Sequence, residues 1–120
     1  MATEDTCCTI VPYFKVHDGQ LTTFKSLCER FVEKSSNEPK CLFYGFSFHA
    51  DQAHCREGYD GAEAVLAHLE NVGGLLEEAL TIADIVRLEV HGPDQEISKL
   101  REPLSGLDPQ YFSLEYGFRR

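Results

Sequence analysis

CLFYGFSFHADQAHCREGYDGAEAVLAHL, residues 41–69, decides the fold of this 120-residue chain. In its first nine residues Leu42, Tyr44, Phe46 and Phe48 fall on one side. Cys41, Phe43, Gly45, Ser47 and His49 fall on the other, which is the period of a strand. Residues 50–52 form a hairpin loop, so residues 53–59 return as an antiparallel partner. Asp60 and Glu63 then make a D-x-x-E start, chemically like a capping box, and Ala62, Val65, Leu66 and Leu69 give the helix a buried stripe.

Reading outward, CCTIVPYFKV at 7–16 is β-branched and aromatic and predicts a strand, with Pro12 placing it at an edge or a bulge. Asp18 is a candidate N-cap for an amphipathic helix carrying Leu21, Phe24, Leu27, Cys28, Phe31 and Val32 at three-to-four spacing. SSNEP at 35–39 ends it. Gly73-Gly74 is expected to break or bend the second helix before Leu75, Leu76, Ala79 and Leu80 resume it. IVRLEVHG at 85–92 alternates again, with Val86, Leu88 and Val90 one way and Ile85, Arg87, Glu89 and His91 the other. Gly92-Pro93 opens a short helical piece with Ile97, Leu100 and Leu104. In YFSLEYGFRR, residues 111–120, Phe112, Leu114, Tyr116 and Phe118 share one face of a terminal strand.

Because the hairpin excludes an all-parallel sheet, the order implies an α+β fold. The expectation is a ferredoxin-like βαββαβ unit with an antiparallel sheet, its helices on one face, and an extra C-terminal strand. The chain reads as a single domain, with its core at about 7–92 and a helix-strand extension at 93–120. Apolar residues on both strand faces, such as Phe43 beside Tyr44, leave the second face needing a cover. A second copy, giving a homodimer, is the simplest.

A net charge of -9 argues against nucleic acid or an anionic membrane as partner. No apolar run approaches the ~20 residues of a membrane span. MATEDTCC at the N-terminus is acidic, with no recognisable secretory signal, so a cytoplasmic location is expected. Five cysteines without a CxxC suggest reduced thiols that pack as small hydrophobes.

PKCLFY at 39–44 and REGYDGAEAVLAHL at 56–69 resemble the dimeric α+β-barrel proteins related to antibiotic-biosynthesis monooxygenases. The resemblance covers about residues 7–92. It implies one of several activities: cofactor-free oxygenation of phenolic or quinol molecules, haem degradation, small-molecule isomerisation, or binding alone. By position, Glu57, Tyr59 and His68 fall where the family often carries a glutamate, an aromatic residue and a helix histidine. Gly73 stands where a second histidine is common, and the absence of tryptophan disfavours haem degradation. The resemblance therefore implies a possible cofactor-independent monooxygenase acting on a small phenolic or quinol-type molecule. A non-catalytic binder and an isomerase are the alternatives.

That chemistry needs a base, an oxygen-holding group and a dry pocket. His68 has the chemistry of the base, Tyr59 can hold a substrate oxygen, and Glu57 can orient the histidine. The competing reading puts His68 at the edge of the packed stripe in a structural role. Phe43, Phe48, Tyr13 and His91 are candidate pocket residues for a small aromatic ligand, together with Tyr111 and Phe112, although core packing explains the aromatic ones equally well. Arg87, Glu89 and His91 read as a solvated or subunit-facing ion-pair strip, or as a pocket wall. His49, His54 and Cys55 flank one loop but lack a fourth ligand, so no metal and no cofactor are expected.

Overall fold

The computed structural model describes residues 2–120. Five strands and two long helices follow in the order β1 (Cys7–Val16), α1 (Leu21–Ser35), β2 (Cys41–His49), β3 (Gln52–Asp60), α2 (Ala62–Ala79) and β4 (Ala83–Gly92). A one-turn helix α3 (Asp94–Ile97), a 3₁₀ turn at Ser105–Leu107 and the short strand β5 (Gln110–Ser113) complete the chain. The sheet runs β2-β3-β1-β4-β5. Its first four strands are antiparallel, the ferredoxin-like βαββαβ arrangement, and β5 adds to the β4 edge in parallel.

Both long helices pack on one face of this sheet. Phe24, Leu27, Cys28 and Phe31 of α1, with Val72, Leu75 and Ala79 of α2, meet Phe14, Val16 and Ala53 in one core cluster. Tyr59, Val65, Ile10 and Val90 form a second, closed from below by Leu100 and Leu104 of the extension. All five cysteines are free, and four of them are buried. Burial pushes the thiols of Cys8 and Cys28 up to about 12, which keeps them neutral and inert.

Two one-residue bulges set which side chains face the helices. The β2–β3 register shifts between Cys41 and Phe43, so Leu42 turns outward and Cys41 packs inward against the cluster that contains Tyr59. The β1–β4 register shifts between Tyr13 and Phe14, which leaves Val86 unpaired and 63% exposed. Ile85, not Val86, therefore joins Leu88 and Val90 in the core. Pro12 does not mark an edge, since β1 is the central strand, but it lies next to that shift.

Other expectations are corrected at the element ends. Gln20 rather than Asp18 precedes α1, without a side-chain cap. Helix α2 passes through Gly73 and Gly74 unbroken. A methyl group at either glycine would meet nothing within 4 Å, so their permissive backbone costs some stability but does not stop a helix anchored by its stripe. Asp60 does not cap α2. Gly61 at φ 91° turns the chain, and the Glu96 carboxylate of α3 accepts the Ala62 N–H at 2.9 Å. The last strand stops at Ser113; Tyr116 makes only an isolated antiparallel bridge to Ala2, and its side chain and that of Phe118 are exposed.

Glu96 thus ties the extension to the start of α2, and the backbone bond holds its pKa below the usual carboxylate range. Glu96→Ala is expected to cost about 1 kcal/mol, as loss of a helix cap does. Thermal melting of the variant checks it, and an unchanged melting temperature would show that the contact carries no stability.

Candidate active site

Strand alternation directs Ala53, Cys55, Glu57 and Tyr59 of β3 toward the helices, and three of these four side chains are apolar, aromatic or a neutral thiol. Glu57 is the exception, a carboxylate only 5% exposed. Its cross-strand neighbours are Ile10 on β1 and Tyr44 on β2. Leaving it unpaired there would cost several kcal/mol, so its partners define the site.

Those partners come from the stretch just after it. The Tyr59 hydroxyl donates to Glu57 Oε1 at 2.5 Å. His68 Nε2 lies 3.3 Å from the same oxygen. On the other side of the ring, His68 Nδ1 is 2.9 Å from Oε2 of Glu38, in the loop after α1. The Asn71 side-chain amide donates to Glu38 Oε2 at 2.7 Å. The result is a line Tyr59–Glu57–His68–Glu38–Asn71 that runs from the interior to the surface.

His68 is 2% exposed and sits mid-stripe on α2, with Val65 one turn before and Val72 one turn after. Burial by itself lowers its pKa; the bonds and charges of Glu57 and Glu38 oppose that and win, so the net shift is upward. The ring is therefore held between two carboxylates that favour its protonated form. Burial and the adjacent Glu57 push Tyr59 far up, so its hydroxyl stays a donor.

Glu57 and His68 open onto an apolar cavity of about 50 Å³ between the sheet and both helices. A water needs roughly 10–15 Å³ by this measure, so there is space for several waters or part of a small ring. Phe24, Phe31, Phe46, Leu76 and Leu88 are among its walls, and Tyr44 and Cys55 bring the remaining polar atoms. The Tyr44 ring packs against His68 at 5.3 Å between centroids.

Of the residues expected from sequence, Glu57, Tyr59 and His68 come together, with Tyr59 behind the carboxylate rather than on the cavity wall. The four expected pocket residues do not join them. Tyr13 stacks on His54 across the opposite sheet face. Phe43 lies on that face over Gly58, with the Arg56 guanidinium on its ring. His91 is there too, bonded to Glu89, which also pairs with Arg87. Phe48 packs edge-on to Phe24 at the end of β2, away from Glu57. Tyr111 lies under Arg101 and Phe112 against His91, both outside the cavity. Cys55 and His54 point to opposite faces of β3, so no metal set forms at that hairpin.

Sequence reasoning missed Tyr44 and Glu38. Tyr44 had a usable signal, its place on the apolar face of β2. Glu38 had none, lying in a polar loop 30 residues from its histidine.

No family model and no curated protein matches the chain, but solved structures do. MupZ from Pseudomonas fluorescens is 48% identical, with a TM-score of 0.94, over 100% of this chain and 94% of that one. A protein from Nitrosomonas europaea that carries the provisional name antibiotic biosynthesis monooxygenase aligns at 15% identity and TM-score 0.69, over 77% of this chain and 94% of its own. One of the same provisional name from Caulobacter crescentus aligns at 17% and 0.63, over 72% and 88%. The last two share the fold.

The raised His68 pKa fixes the sign of one pH effect. Folding favours the imidazolium, so this stabilisation is fully present below about pH 6.5 and is lost as pH rises through the higher folded value. The melting temperature is expected to fall as pH rises above about 6.5. His68→Gln should flatten that slope. A slope identical in the two proteins would mean that His68 is not protonated in the fold.

Proposed function

The chain belongs to the same family as MupZ, with the fold of the antibiotic-biosynthesis-monooxygenase-like proteins, and we propose that it is a cofactor-free acid–base enzyme acting on a small, mostly apolar molecule. The observation that carries this reading is the Glu57–His68 pair at the wall of an otherwise apolar cavity. A bare buried pair is a poor stability device, whereas a carboxylate and an imidazolium facing a cavity are a base and an acid in one place.

In this reading Glu57 is the proton acceptor. Tyr59 and His68 hold Oε1 from two sides, which leaves Oε2 for a bound molecule. His68 stabilises the carboxylate and is a positioning group rather than a free base, because both its nitrogens are engaged. Tyr59 positions Glu57 without reaching the cavity.

Two forms of the reaction follow. In the first, proton removal from one atom and return to another rearranges the substrate without oxygen, as an isomerase does; the adjacent acid and base favour it. In the second, Glu57 deprotonates a phenolic or quinol-type molecule and dioxygen attacks the electron-rich anion. A simple quinol plus dioxygen gives a hydroxyquinone and water, the substrate supplying all the electrons. The apolar cavity and the provisional names of the structural neighbours support that form.

We also propose that the opposite sheet face pairs with a second copy. Tyr13, Phe43 and the ion-paired Glu89 lie on that face, which no helix covers. Sedimentation is expected to show a dimer, and truncation of residues 111–120 is expected to dissociate or aggregate it. A stable full-length monomer would remove this part.

The catalytic proposal is tested with hydroquinones, polyphenols and enolisable ketones, aerobically and anaerobically. Glu57→Gln is expected to cut turnover by about 100-fold or more while the protein remains folded. Product formed only with oxygen uptake assigns the monooxygenase form, and product without it the isomerase form. Saturable binding with no turnover identifies a binder and defeats the catalytic reading.

A further inference from the structure

We propose that Tyr44, with Ser35 beside it, is the subsite that recognises the ligand's oxygen, and that the ligand is an uncharged, mostly hydrocarbon molecule bearing a hydrogen-bond-accepting oxygen. This deepens the catalytic reading of the same cavity and rests on it for the site's location.

Tyr44 is the cross-strand neighbour of Glu57 and lines the cavity with it. Its hydroxyl lies near enough to Ser35 and Cys55 for both to tune it. Ser35 Oγ, in a side chain 1% exposed, makes no close hydrogen bond and faces only the Tyr44 hydroxyl. A buried hydroxyl so weakly held is uncommon; it stands behind Tyr44, which with Cys55 lines the apolar space itself. Burial, with the nearby Glu57 charge, pushes Tyr44 far up, so the phenol remains a neutral donor.

The charges narrow the ligand further. No lysine or arginine lines the cavity, and the His68 ring is already shared by two carboxylates. A carboxylate or phosphate would therefore meet Glu57 without a free cation. An ammonium would shed its hydration in an apolar space where only one carboxylate oxygen of Glu57 is left to answer its three donors. A carbonyl, ether or hydroxyl oxygen on a hydrocarbon body satisfies the donors and fills the rest.

The test uses two probes of nearly equal shape, cyclohexanone and methylenecyclohexane, which differ by an oxygen in place of a methylene. Cyclohexanecarboxylate is the anionic control. Dissociation constants come from amide shifts in NMR titrations of the wild type, Tyr44→Phe and Ser35→Ala. Tyr44→Phe is expected to weaken the ketone by about 2- to 10-fold, the range of one neutral hydrogen bond, and to leave the alkene unchanged. Ser35→Ala, which removes only a hydroxyl, is expected to weaken the ketone in the same sense and decides the matter if Tyr44→Phe does not fold. Equal effects on both probes, no effect on either, no ketone binding by the wild type, or tighter binding of the carboxylate would each overturn the proposal. The probes are bound without being turned over, so the result is separable from the Glu57→Gln experiment. Normal turnover in Glu57→Gln would sink the acid–base reading and leave this measurement standing.

Discussion

Glu57 is a carboxylate in a place where a carboxylate is costly, and much of the interior is arranged around that fact. It lies on a strand between two apolar core clusters, with Ile10 and Tyr44 as its lateral neighbours. Only donors from close by make this tolerable. Tyr59 supplies one from the same strand face two residues on, and His68 supplies another from the helix that follows. Register and helix phase are therefore coupled. A slip of one residue in β3 would send Glu57 to the open face. A rotation of α2 by one position would withdraw His68 and leave the carboxylate buried and alone.

The two bulges show the same dependence from the other direction. Without the extra residue at Leu42, strict alternation back from Tyr44 would place Leu42 in the core and turn Cys41 away from it. Without the extra residue at Val86, Ile85 would face away from the helices. Each bulge lets a strand keep one inward set near Glu57 and another toward its end. Ile85 and Leu88, which straddle the adjustment at Val86, and Tyr44 and Phe46, beyond the one at Leu42, all line the cavity.

The elements themselves were legible because period two and period 3.6 are strong in this chain. The 41–49 and 53–59 strands, the 7–16 strand, the stripe of α1 and the hairpin that forces an antiparallel sheet all follow from alternation and spacing. So did Glu57, Tyr59 and His68 as a group, since their separations of two and eleven residues are local. What stayed hidden was long-range or single-residue in origin. Val86 was read as inward because a bulge shows itself only in the pairing. Glu96 was not seen as the cap of α2 because the bond spans 34 residues. Phe43, Tyr13 and His91 were grouped with the site because aromatic and polar character does not say which face of a sheet it occupies. Tyr44 was passed over although its own alternation placed it inward.

Glu57, the larger influence, and Glu38 after it together set the state of the histidine. Burial opposes an imidazolium, and both carboxylates raise His68 against that opposition. They differ in one respect that matters for chemistry. Glu57 faces the cavity, while Glu38 sits in the loop after α1 and is held by Asn71 at the surface. In the proposed reaction Glu57 meets the ligand inside the cavity, while the His68 ring and Glu38 carry the ion-pair line on to the surface. The same arrangement accounts for a histidine buried mid-stripe, where an aliphatic side chain would pack at lower cost. Its ring fills the core position, and its two nitrogens join the interior to the surface.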